Sequence, residues 1–136
     1  MWSASRPASA RAQDKEQQRY DTYRRNVPEA VRVDLREHGW DLPTLQQYVD
    51  QFVYHYDVCG TSRRCFEVLQ DMRTLSVHFM LDVDGTIYQT LDVKERAWHA
   101  SQANDRSVGI EIANIGAYPD MKTLDQWYPV DDKGRH

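Results

Sequence analysis

The 136-residue sequence has no run of about 18 apolar residues, so it holds no helix able to cross a membrane. Basic residues are not in excess. Lys and Arg number 17 against 21 Asp and Glu, a net charge of −4, which disfavours a globally basic nucleic-acid binder. Internal repeats and heptads are absent, which leaves a single ordinary core as the expectation. The chain has only two cysteines, Cys59 and Cys65. Five residues separate them, not the two-residue gap of a zinc knuckle or a thioredoxin-type pair. The N-terminus lacks the apolar centre of a secretory signal, although Ala10-x-Ala12 would suit a cleavage site. If translation starts upstream of Met1, a removed leader would end near Ala12, and a secreted or periplasmic location is the favoured expectation.

What is present points to a packed domain. Hydrophobic residues make up 40% of the sequence, with four Trp and eight Tyr, too rich a set for a disordered chain. Residues 1–27 lack apolar periodicity and read as a flexible or irregular tail, and residues 28–136 as the folded part. A short helix is expected from about Pro28, and another after Asp41, a capping residue followed by Pro43. Phe52-Val53-Tyr54-His55-Tyr56 has the composition of a buried strand, and Asp57 to Gly60 that of a turn. Thr61 or Ser62 can cap a further helix that aligns Phe66, Leu69 and Met72 on one face.

Asp84-Gly85 between two β-rich runs, 76–81 and 86–91, predicts a hairpin with positive φ at both turn positions. Ser107 to Ile112 alternates, with Val108, Ile110 and Ile112 on one face and Gly109 and Glu111 on the other. The segment after Asn114 is turn-rich and shows no periodic element. The fold class these elements suggest is α/β: a mixed central sheet containing a β-hairpin, flanked by α-helices.

Chemistry-bearing residues cluster on the predicted strands. His55, His78 and His99 are together compatible with a three-histidine zinc site, although their spacings are long. Glu111 stands on the polar side of an apolar strand. Burial would raise its pKa towards that of a general base, and the competing reading is a salt bridge to Arg96 or Arg106. Trp98, His99 and Asn104 supply an aromatic face, an imidazole and an amide within one loop, suited to a ligand rich in amides and hydroxyls. Cys59 and Cys65 are compatible with a local disulfide or with two thiols.

Four ordered blocks carry a family likeness: Phe52-Val53-Tyr54-His55; Ser76-Val77-His78-Phe79 followed by Asp82-x-Asp84-Gly85-Thr86-Ile87-Tyr88-Gln89; Arg96-Ala97-Trp98-His99-Ala100; and Asn104-x-x-Ser107-Val108-Gly109-Ile110-Glu111-Ile112. Over about residues 50–118 the sequence resembles the zinc-dependent N-acetylmuramoyl-L-alanine amidases of the type 2 family, whose domain the peptidoglycan-recognition proteins share. The resemblance implies peptidoglycan or a muropeptide as partner, and hydrolysis of the amide between N-acetylmuramic acid and L-alanine.

It also implies Zn²⁺ as cofactor, His55 as its first ligand, Glu111 as catalytic acid/base, and Trp98, His99 and Asn104 along the substrate groove. His78 matches a position that is not a ligand, and Cys59 and Cys65 match the family's cysteine pair. The other zinc ligands belong to a later Gly-His segment and an Asp or Cys roughly ten residues beyond it. They are expected beyond residue 136, since Asp131, Asp132, Lys133 and His136 do not map onto that pattern. Residues 28–136 would then be the N-terminal portion of an amidase-like domain. The alternative is a muropeptide-binding module, or an inactive fragment, without hydrolysis.

Overall fold

The computed structural model describes residues 24–134, so nearly all of the expected tail lies outside the described residues. The exception is 24–27, where Arg24 and Val27 are buried, so packing begins inside the stretch read from sequence as tail. Helix α1 spans Glu29–His38 and follows Pro28. Helix α2 spans Leu42–Tyr48, where Asp41 caps the first turn by accepting the Thr44 N–H at 2.8 Å.

Strand β1 is Gln51–Tyr56. Helix α3, Ser62–Glu67, is capped by the Thr61 side chain and continues into a π-helical turn over Val68–Arg73. Strands β2 (Phe79–Leu81) and β3 (Ile87–Gln89) form the hairpin, β4 is Ser107–Ile112, and α4 is Met121–Trp127. The sheet order is β1-β4-β2-β3. The first three strands are parallel, and β3 is antiparallel at the edge, which makes the mixed α/β sheet expected from sequence.

Four local expectations are corrected. At the hairpin, positive φ falls on Gly85 alone and not on Asp84. Asp82 accepts from Gly85 N–H and donates its own N–H to Thr86, so the loop is one residue longer than a two-residue turn and needs a single left-handed position. On α3 the buried residues are Ser62 and Cys65, whereas Phe66, and Met72 in the π turn, are exposed. The wider π turn over 68–73 breaks the 3.6-residue register that would have aligned them.

Strand β1 is not buried on both faces. It is an edge strand, and Phe52, Tyr54 and Tyr56 are exposed. Finally, α4 forms in the segment that reads as turns, because Asp120 accepts the Thr123 N–H and caps it.

Alternation divides the sheet. Val53 and His55, Met80, and Ser107, Gly109 and Glu111 share one face, while Phe52, Tyr54, Tyr56, Val108, Ile110 and Ile112 share the other. The first face is the covered one. Cys65 of α3 packs with Val77 and Met80 there, with Cys59 and Leu69 at the margin, and the 96–104 loop lies over Gly109.

Candidate active site

Strand register sets the centre of the site. His55 of β1 and Met80 of β2 are the partners of Glu111 on either side of β4, one strand spacing away. Glu111 is half-buried. Its pKa is pushed up to about 7, first by loss of solvation and then by the nearby negative charge of Asp57. The salt bridges that could have held it ionised do not form. Arg96 pairs with Asp105 at 2.7 Å, and Arg106 pairs with Asp50.

His99 reaches His55 from the loop above the sheet, with His55 Nε2 and His99 Nδ1 2.9 Å apart and the rings edge to face. Its other nitrogen lies 3.0 Å from the Ser107 hydroxyl, which β4 presents on the same face two residues before Gly109. Burial, and then the neighbouring His55 ring, lower the His99 pKa to about 4, so this imidazole is neutral at pH 7. Burial also lowers the pKa of His55. Gly109 makes the close approach possible. A Cβ there would lie 2.4 Å from two ring atoms of His99, nearer than any side chain tolerates.

Asn104 and Trp98 shape this loop. Asn104 is buried, and its Oδ1 accepts the N–H groups of His99 (3.1 Å) and Ala100 (2.6 Å), fixing the turn that carries His99. The Trp98 ring is held by cations, with the Arg96 guanidinium 4.1 Å and that of Arg25 5.7 Å from its centroid.

His78 is saturated. Its Nδ1 accepts the Gly109 N–H at 3.1 Å, which fixes the tautomer, and its Nε2–H donates to the Glu95 carbonyl at 2.9 Å. The ring is fully buried, and both nitrogens serve the fold rather than a metal, although the ring stands only 5.9 Å from His99. Cys59 and Cys65 are thiols here, with their side chains hydrogen-bonded to each other, and burial raises the pKa of both.

Three residues that the sequence reading did not single out hold this arrangement. Arg24 is 1% exposed and donates to the carbonyls of Val93 (2.7 Å), Ser107 (3.0 Å) and Asp105 (3.1 Å), pinning both ends of the loop that carries His99. Nothing in its local sequence signals this. Asp57 accepts three N–H groups through Oδ1, those of Cys59, Gly60 and Asn114, and so ties the end of β1 to the chain leaving β4. An Asp heading a turn is a readable sign of that role. Ser107 shares the Glu111 face by strand alternation, which the sequence also carried.

The donors do not fit a complete zinc centre. Such sites take three or four protein ligands, and among the described residues no three His, Cys, Asp or Glu side chains converge to hold a metal. The two imidazole nitrogens that do face each other, on His55 and His99, engage one another.

The family model for N-acetylmuramoyl-L-alanine amidase matches residues 45–133, and the chain belongs to that family. The match runs from within α2 to beyond α4 and includes every strand, His55, His99 and Glu111. A search of curated proteins finds no match.

Proposed function

We propose that this protein binds the N-acetylmuramoyl-L-alanine junction of peptidoglycan or a muropeptide, and that Glu111 serves as the proton acceptor and donor in hydrolysis of its amide. The observation that carries this is Glu111 itself: a carboxylate without an arginine partner among the described residues, half-buried beside His55, with a pKa of about 7. Near neutral pH, such a group is divided between its basic and acidic forms.

In the reaction, Glu111 takes a proton from water as the oxygen attacks the lactyl carbonyl carbon. It then returns the proton to the alanine nitrogen as the C–N bond breaks, leaving a carboxylic acid and a free α-amine, which pass to carboxylate and ammonium as the acid gives up its proton. His99, neutral and fixed by Asn104 and Ser107, and the Trp98 face form the adjoining wall for an amide-rich ligand. His55 is proposed as one zinc donor. Cys59 and Cys65 are thiols in the structure, and their pairing as a disulfide under oxidising conditions belongs to the same proposal; closing the loop of five intervening residues would contribute roughly 2 kcal/mol in the chain-entropy account.

A second reading, binding without hydrolysis, is favoured by the lack of three converging metal donors among the described residues. One experiment separates the two. The protein is supplied with zinc and a muropeptide, and bound zinc, bound ligand and released peptide are all measured. Zinc uptake with peptide release supports hydrolysis, and binding without release supports the second reading. His55→Ala is expected to lower zinc content, and undiminished zinc would remove His55 as a ligand.

A further inference from the structure

The face of the sheet turned away from Glu111 is apolar across all four strands. Register lines up Tyr56, Ile112, Leu81 and Ile87 in one row that runs from edge to edge. A second row holds Tyr54, Ile110, Phe79 and Gln89, and Phe52 beside Val108 begins a third. Nine of these ten side chains are apolar or aromatic, and none is charged. Among the described residues nothing covers them. None of the ten is buried, and Phe52, Tyr54, Tyr56 and Ile87 are 50%, 73%, 62% and 62% exposed.

Parallel strands ordinarily carry apolar side chains on both faces, and both faces are ordinarily covered. Here α3 and the 96–104 loop cover only one. The apolar side chains of the bare face leave roughly 600–700 Å² open, more than the largest apolar patch of a typical monomer. Residues 1–23 are a poor match for so large an apolar surface. They carry seven charged residues, and Met1, Trp2, Tyr20 and Tyr23 are their only large apolar or aromatic side chains. An identical copy of the face matches it better, since it is equally free of charge and brings no polar group that burial would leave unpaired.

We propose that this face is the interface of a homodimer, in which two copies of the chain pack sheet against sheet about a two-fold axis. Packed sheets lie about 10 Å apart, so the exposed rings of Tyr54 and Tyr56 interleave with the partner's apolar rows. The buried area summed over both copies is roughly 1,200–1,400 Å², in the lower part of the range for specific interfaces. Association is therefore weak, and the single folded chain prevails in dilute solution. Both Glu111 residues face outwards in such a dimer, so the proposal does not depend on hydrolysis there.

Sedimentation velocity of the full chain, from micromolar to millimolar concentration, is expected to show a monomer–dimer equilibrium. Tyr56→Asp and Ile87→Asp change exposed positions at opposite edges of one row, where the fold has little to lose, and set a charge against the partner's apolar side chains. Each is expected to weaken the dimer at least about tenfold. Tyr88→Asp, next to Ile87 but on the other face of β3, is expected to leave dimerisation unchanged, and far-UV circular dichroism checks that all three variants fold. In a mixture of labelled and unlabelled chains, isotope-filtered NOEs are expected to join the Tyr54 and Tyr56 rings of one copy to methyl groups on the same face of the other. A chain that stays monomeric through the millimolar range would overturn the proposal. NOEs joining this face to residues 1–23 of the same chain would overturn it in favour of that segment. A dimer weakened by Tyr88→Asp, and not by Tyr56→Asp or Ile87→Asp, would place the interface elsewhere.

Discussion

At the scale of single residues, Glu111 and Gly109 make the sharpest predictions. Glu111→Gln removes the proposed proton acceptor and little volume, so muropeptide hydrolysis is expected to fall by at least about 100-fold while binding is retained. An unchanged rate would remove Glu111 from the chemistry. The same substitution has a consequence for stability. The folded-state pKa of about 7 lies above the ordinary value of 4.5, so the native state holds this proton more tightly than the unfolded chain does. The associated stability is fully present below about pH 4.5 and is lost as pH rises through 7. Glu111→Gln is therefore expected to gain on the wild type between pH 5 and 8, by on the order of 1–2 kcal/mol once solvent screening is discounted. Denaturant midpoints at pH 4 and pH 8 check this, and a gain at pH 4 equal to that at pH 8 would contradict it. Gly109→Ala places a methyl group against the His99 ring and is expected to cost about 1–3 kcal/mol and to disturb the His55–His99 contact. The imidazole resonances of both rings report this directly.

At the scale of elements, the two faces of the sheet behave differently. Met80 is buried between α3 and the strands, and Met80→Ala is expected to cost about 2–5 kcal/mol. Tyr54, 73% exposed on the opposite face, is expected to tolerate Tyr54→Ser at under about 1 kcal/mol. Thermal unfolding of the two variants tests the assignment of faces, and equal losses would contradict it. This asymmetry also explains what the sequence disclosed. Alternation in 107–112 and the Asp-Gly signal are local, so β4, the hairpin and the placing of Glu111 opposite Val108, Ile110 and Ile112 were all legible. Which face would be covered was not legible, because it depends on where α3 and the 96–104 loop settle. Aromatic, β-branched β1 therefore read as a buried strand although it forms an edge. The π turn after α3 was hidden for a similar reason, since its apolar spacing fits an ordinary helix.

At the scale of the whole molecule, long-range clamps organise the site. Arg24 reaches residues about 70 to 80 positions away in sequence, a kind of contact that composition and periodicity do not encode. Arg24→Met is expected to leave buried carbonyls unpaired, at a cost of about 2 kcal/mol or more. Chemical shifts across 93–107 would follow this loosening, and an undisturbed loop would show that the clamp is dispensable. Asp57 works similarly, joining the ends of β1 and β4 so that His55 and Glu111 stay in register. The chain belongs to the amidase family, and the chemistry proposed for it rests on one group poised near neutrality. The most direct measurement is the titration of the Glu111 side-chain carboxyl by ¹³C NMR, assigned with Glu111→Gln. A midpoint near 7 is the predicted result. A midpoint near 4.5, the value of a solvated glutamate, would contradict the account.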